Sequence, residues 1–199
     1  MSARDEIRFS AEAVRRLPWP VARFVVRARR SARREGDVFS LDSALRPTKL
    51  GVLLEAAAGR RLVAELGTGT AWATVALALA DPARTIVSFD PVARGQRERY
   101  LELAGPGVRE RITFVEGLGE DGPGDVSGVD LLFIDSSHER EPTLAEVAAW
   151  RPALAPGALI AFDDYGPPDY PGVAEAVAEL GAEGEARASL FLWQLPVDA

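Results

Sequence analysis

Leu62-Val63-Ala64-Glu65-Leu66-Gly67-Thr68-Gly69-Thr70-Ala71 decides the reading of this chain. An apolar run ends in an acid and breaks into a glycine-containing turn. A second apolar run, Thr85-Ile86-Val87-Ser88-Phe89, ends in Asp90, 21 residues after Gly69. Two such strands lying side by side build a nucleoside pocket. The glycines let backbone approach a ligand closely, and the acid can accept hydrogen bonds from two ribose hydroxyls.

Outward from this stretch, strands and helices alternate. Apolar runs predict strands over 62–66, 85–90, 111–115, 129–135, 158–163 and 189–195. Helical periodicity predicts helices over about 70–80, 94–104, 141–154 and 172–181, with an earlier one over 47–58 between Pro47 and Gly59. Residues 11–35 predict one or two helices broken near Pro18-Trp19-Pro20. Val21, Phe24, Val25 and Ala28 form an apolar stripe there, and Arg23, Arg27, Arg30 and Arg34 a basic one. The segment 116–128 reads as loop. The expected fold is α/β: a Rossmann-like, doubly wound, mostly parallel sheet of six or seven strands flanked by helices. The expected organisation is a helical cap over 1–43 and one domain over 44–199. Such sheets bind ligands beyond the carboxyl ends of their strands. Glu65, Asp90, Asp135, Asp163 and Asp164 all fall there.

Composition narrows the function classes. With 199 residues and 47% hydrophobic content, the chain can bury one good core. A net charge of −7 argues against nucleic acid as partner, as does the lack of an Asn-Pro-Pro-Tyr-like base-flipping motif. The first 40 residues carry ten arginines against five acids; their expected role is a solvated helix face, with a cap over the substrate, a dimer contact or a contact with an anionic partner such as a phosphorylated substrate or membrane surface as alternatives. There is no cysteine, hence no thiolate metal site. Neither a secretory leader nor a run long enough for a membrane span is expected, which points to a cytoplasmic protein. Arginine in place of lysine, with abundant Ala and Gly, reads as the bias of a GC-rich bacterial genome.

The nucleoside site can be narrowed further. Dinucleotide folds want a small third residue in Gly-x-Gly-x-x-Gly/Ala, and here that position is Trp72. No Gly-Lys-Ser/Thr of a phosphate-binding loop follows. The pattern Glu65-x-Gly67-x-Gly69 instead resembles motif I of the class I S-adenosylmethionine-dependent methyltransferases. The resemblance covers about residues 44–180. It implies S-adenosylmethionine held by Glu65, Gly67, Thr68 and Gly69, with Asp90 and Pro91 at the ribose. Ala71 stands where that family has a third glycine. Thr113-Phe114-Val115-Glu116-Gly117 resembles the end of the family's third strand, which implies adenine contacts from Gly117 and Leu118.

Two further runs bear on the chemistry: Leu132-Phe133-Ile134-Asp135-Ser136-Ser137-His138 and Ile160-Ala161-Phe162-Asp163-Asp164-Tyr165-Gly166. Adjacent parallel strands would bring their acids together, and crowded carboxylates need a cation or a proton. All-oxygen ligation suits Mg²⁺, with Mn²⁺ or Ca²⁺ as alternatives. The Asp-Asp-Tyr-Gly run resembles metal-dependent O-methyltransferases of the catechol and macrocin/sugar type. That resemblance implies a metal triad of Asp135, Asp163 and Asp164, with Asp135 also at the cofactor and the chemistry. Where the sugar enzymes place another acid, two residues after the first ligand, this chain has Ser137, and the next residue is its only histidine, His138. His138 is therefore the candidate base, its alternative being a helix cap. Tyr165, Tyr170 and the intervening Pro167 and Pro168 are expected to wall the substrate. Lys49 and Arg46 are placed near the cofactor carboxylate. The expected activity is Mg²⁺-assisted O-methylation of a small hydroxylated metabolite. The alternatives are a metal-independent N- or C-methyltransferase, or a cofactor-binding regulator without turnover. A homodimer is left open.

Overall fold

A computed structural model describes residues 11–166 and 170–197. Four helices precede the first strand: α1 (Ala11–Arg16), α2 (Trp19–Glu35), α3 (Val38–Ser43) and α4 (Pro47–Ala56). The chain then runs β1 (Leu62–Leu66), α5 (Trp72–Ala80), β2 (Thr85–Asp90), α6 (Gln96–Ala104), β3 (Ile112–Glu116), β4 (Val129–Ile134), α7 (Arg140–Trp150), β5 (Leu154–Phe162), α8 (Pro171–Glu179), β6 (Glu185–Arg187) and β7 (Leu190–Gln194). Pro20 breaks nothing, because it sits in the first turn of α2, where its missing N–H has no helical partner to lose. Gly36 ends that helix in the left-handed conformation.

The strands form one seven-stranded sheet in the order β3-β2-β1-β4-β5-β7-β6. The first five are parallel; β7 runs antiparallel to β5, and β6 pairs antiparallel with β7. Buried strands alternate their side chains between two cores. Val63, Leu131, Phe133, Leu159 and Ala161 pack with α2, α4 and α5 on one face. Ala64, Leu66, Leu132, Ile134, Ile160 and Phe162 pack with Val147, Trp150, Val173 and Val177 of α7 and α8 on the other. The apolar stripe expected on α2 is fully used: Val21, Phe24, Val25 and Ala28 are buried. Arg23, Arg27, Arg30 and Arg34 face solvent.

Register explains why the polar residues converge. Leu66 pairs with Phe89 on one side and Ile134 on the other, and Ile134 pairs with Phe162. The next residues, Gly67, Asp90, Asp135 and Asp163, therefore stand in one row along the carboxyl edge. The ladder carries into that row, since Gly67 N donates to Phe89 O, Asp135 N to Leu66 O and Asp163 N to Ile134 O, each at 2.8 Å. The order of strands reverses between β1 and β4, the position where open α/β sheets leave a crevice. No helix among the described residues is long and apolar enough to cross a membrane.

Candidate active site

A cleft of about 1590 Å³ opens over this edge. One wall comes from the strand ends and another from Phe39, Asp42, Arg46 and Lys49 of the α3–α4 region. A single small-ligand site usually takes ~300–1,000 Å³, so the cleft has room for a nucleoside and a second molecule.

At the β1–β2 end, Gly67 has φ +100° and Gly69 φ +51°. A side chain at Gly67 would overlap the carbonyl oxygen of Asp135, so glycine is obligatory where these two strands separate. Ala71 is also left-handed, at φ 68°, so the residue standing in for a third glycine does adopt a glycine conformation. Asp90 closes the turn from beside it. It accepts Gly69 N at 2.8 Å and Val92 N at 2.7 Å, and Arg97 approaches at 3.1 Å. Arg97 also donates to the carbonyls of Gly69 and Val92. A carboxylate offers about four acceptor positions, so roughly one is left free, not the pair expected for two ribose hydroxyls. Thr68, Pro91 and Leu118 line the cleft as expected, together with Trp72, Gly119 and Arg94. Among the described residues, Trp72 Nε1 and Arg94 Nε are buried without a hydrogen-bond partner.

Two residues expected at the cofactor lie off the cleft wall. Gly117 is not among the lining residues. Glu65 is buried beneath the turn, where Thr74 Oγ1 and Ser88 Oγ each donate to it at 2.5 Å. Its burial, outweighing those hydroxyls, pushes its pKa up to about 7. The side-chain period of two explains this: Glu65 belongs to the face of β1 covered by α5, while the cleft lies over the strand ends.

At the β4–β5 end the acids do converge. Lys49 Nζ lies 2.7 Å from Asp163 Oδ1 and 2.8 Å from Asp164 Oδ1. Burial alone would lower the lysine pKa; the two carboxylates outweigh it and the net shift is upward. Burial first, and then the charge of Asp163, hold Asp135 well above the usual carboxylate range; burial also raises Asp163, against the opposing charge of Lys49. The expected open metal triad is therefore not what these acids form. Among the described residues no group of three acids or histidines is arranged to hold a metal ion. Lys49, expected near a cofactor carboxylate, instead joins the protein's own acids; Arg46 lines the same wall.

His138 does not cap α7, whose N-cap is Glu139. It lines the cleft with Nε2 3.8 Å from Asp164 Oδ2, its ring 5.0 Å from that of Tyr170. His138 and Asp164 have φ 59° and 51°, a conformation uncommon for residues with side chains and concentrated at functional sites. Tyr165 and Tyr170 both line the cleft, although Tyr165 also packs its ring 4.7 Å from Phe191 of β7. Pro167, Pro168 and Asp169 lie outside the described residues.

Sequence reasoning passed over several lining residues. Glu146 of α7 is buried, accepts Ser136 Oγ at 2.8 Å, and is pushed by burial to about 7. Phe39 carries the Arg94 guanidinium 3.9 Å from its ring centre. Neither sits in a motif, and both reach the cleft only through tertiary packing.

Comparison with known proteins agrees with this geometry. Residues 64–165, just over half of the chain, match the family model described as a methyltransferase domain. No curated protein matches the sequence significantly. Among solved structures, the fold is similar to that of a TDP-rhamnose 3'-O-methyltransferase of calicheamicin biosynthesis, at 22% identity over 73% of this chain and 76% of that one, TM-score 0.56. It is also similar to an O-methyltransferase family protein from Burkholderia thailandensis, at 14% identity over 75% and 56%, TM-score 0.61. The O-methyltransferase NovP aligns at 19% identity over 76% and 81%, TM-score 0.53. At such identities the likeness concerns the fold. The family match spans both the glycine turn and the acid-rich strand ends, and on that ground the chain belongs to the methyltransferase-domain family and is an S-adenosylmethionine-dependent methyltransferase.

Proposed function

We propose that this chain methylates a hydroxyl of a small metabolite bound between Lys49, His138 and Tyr170. One observation carries the reading: His138, paired with Asp164, faces the same cleft as the Gly67–Gly69 turn. The cofactor's adenosine and methionine portions fit the turn and its surroundings. Gly67 and Gly69 allow close backbone approach, Asp90 retains an acceptor position, and Trp72 and Arg94 line the cleft beside them. Bound there, S-adenosylmethionine supplies a sulfonium methyl whose C–S bond breaks as the acceptor oxygen bonds to carbon.

The chain's own residues supply orientation and proton transfer. A hydroxyl is a weak nucleophile until its proton leaves, and the reading assigns that proton to His138 Nε2, which lines the cleft. Asp164, 3.8 Å away, stabilises the imidazolium that forms. Burial and the neighbouring Asp163 hold Asp135 well above the usual carboxylate range, which disfavours its charged form. Tyr170, against the His138 ring, limits that ring's rotation and walls the acceptor. The acid-rich end repels phosphate groups, which favours a compact, uncharged or cationic acceptor over nucleic acid.

Magnesium assistance fits this donor set poorly. Asp135, Asp163 and Asp164 have suitable oxygens, but two of them already pair with Lys49, and burial holds Asp135 well above the usual carboxylate range. A divalent ion placed among them would meet an ammonium at close range, which is strongly repulsive. No step is routed through it.

The test is transfer of labelled methyl from S-adenosylmethionine to a panel of sugars, sugar nucleotides, phenols and amines. Product methylated at oxygen, and its loss in His138→Ala, is the expected result. Turnover confined to amines, or undiminished turnover in His138→Ala, contradicts the reading.

A further inference from the structure

Lys49 is the only lysine in a chain with 22 arginines. Where every other cation is a guanidinium, a lone ammonium marks a position that needs a compact point charge. Its surroundings supply the reason. Asp163 and Asp164 are consecutive residues at the end of β5, and their Oδ1 atoms converge on one small volume. The Nζ atom reaches both oxygens below 3 Å. The lysine side chain is 12% exposed, so the charge is buried in the wall yet reachable from the cleft. It arrives from α4, an element that precedes the sheet, and is held there by Pro47 in the first helical turn and by buried Leu50 and Leu53.

We propose that the Lys49 ammonium is the resident cation of the acceptor end, filling the place that the sequence pattern assigns to Mg²⁺, so that methyl transfer by this chain proceeds without a divalent ion. Lys49 is then a positioning residue. It neutralises Asp163, fixes Asp164 opposite His138, and keeps one of its three N–H donors for a ligand oxygen. The inference rests on the methyltransferase reading only in calling this end of the cleft the acceptor end.

The experiment is Mn²⁺ titration of the full chain saturated with S-adenosylhomocysteine, followed by the paramagnetic resonance of free Mn²⁺. Wild type is expected to show no stoichiometric site below millimolar Mn²⁺. Lys49→Ala is expected to gain one, at least about tenfold tighter, because three carboxyl groups then lack their cation. Lys49→Met, which keeps the buried stem, is the second neutral variant and should behave likewise; Lys49→Arg should gain none. One Mn²⁺ bound tightly by wild type overturns the proposal without reference to any variant. So does the absence of a new site in both neutral variants while they still bind S-adenosylhomocysteine. Failure of wild type to bind S-adenosylhomocysteine is a different outcome: it removes the methyltransferase reading and leaves the Mn²⁺ comparison standing.

Discussion

The two edges of the sheet use charge in opposite ways. At the amino edge, guanidinium groups tie up the loose carbonyls of neighbouring helices. Arg84, buried, donates to the carbonyls of Arg60, Leu77 and Ala57. Arg111 donates to those of Ala78, Asp81 and Arg84, and Arg60 to those of Ala56 and Asp130. Asp130 accepts Arg61 N and Leu62 N, which fixes the entry to β1. At the carboxyl edge Asp135, Asp163 and Asp164 crowd beside one ammonium, Arg97 pairs with Asp90, and left-handed residues accumulate. One edge is saturated and serves stability. The other retains strain and unmatched groups, the usual mark of a site awaiting a ligand.

Substitutions can break this contrast. The largest effect is expected for Gly67→Ala, where a new methyl must displace the Asp135 carbonyl at positive φ. It should cost at least about 3 kcal/mol in urea unfolding and abolish S-adenosylhomocysteine binding. Arg84→Met tests the opposite edge. Removing the guanidinium donor from three carbonyls, of which Ala57 O keeps Arg60 N, should cost about 2–4 kcal/mol, while the folded fraction keeps its cofactor affinity. Loss of affinity there would mean that the edges are not separable.

Asp90→Ala should weaken S-adenosylhomocysteine binding by about tenfold or more, with a smaller loss of stability, because the acid serves both ligand and turn. Unchanged affinity would remove Asp90 from the ribose site. The last effect concerns pH. Glu65 is raised by burial from 4.5 to about 7, so the folded state holds a proton that the unfolded chain releases. Its contribution to stability is complete below pH 4.5 and is lost as pH rises through about 7. Glu146 acts in the same direction. Glu65→Gln should flatten part of that decline and unfold later than wild type at pH 8, by on the order of 3 kcal/mol at most. A steeper decline in the variant would contradict the buried, protonated assignment.

The fold was legible in the sequence wherever packing follows local pattern. The apolar runs that end in Glu65-Leu66, Asp90, Asp135 and Asp163 became the four central strands, and the expected sheet of six or seven strands has seven. Strand β6 was not legible. Its hairpin with β7 turns on Ala188-Ser189, at φ 51° and 65°, without the Asn-Gly or Asp-Gly that normally marks such a turn. Nor was the short helix α3, too brief to show periodicity. In the site, the row of acids could be read because strand ends align. Which face each side chain takes could not be read from a motif, so Glu65 went to the core and not to the cleft. The partner of Asp163 and Asp164 was hidden for another reason. Lys49 lies 115 residues before Asp164, and only tertiary packing brings them together. Its one signal was its singularity among arginines.

The central claim, that the cleft over the carboxyl edge is a methyltransferase cofactor site, is tested most directly by calorimetric titration of S-adenosylhomocysteine into the purified chain with EDTA present. One site of micromolar affinity, weakened in Asp90→Ala and intact in Arg84→Met, is the predicted result. No heat of binding at millimolar ligand, from protein shown to be folded, would contradict it.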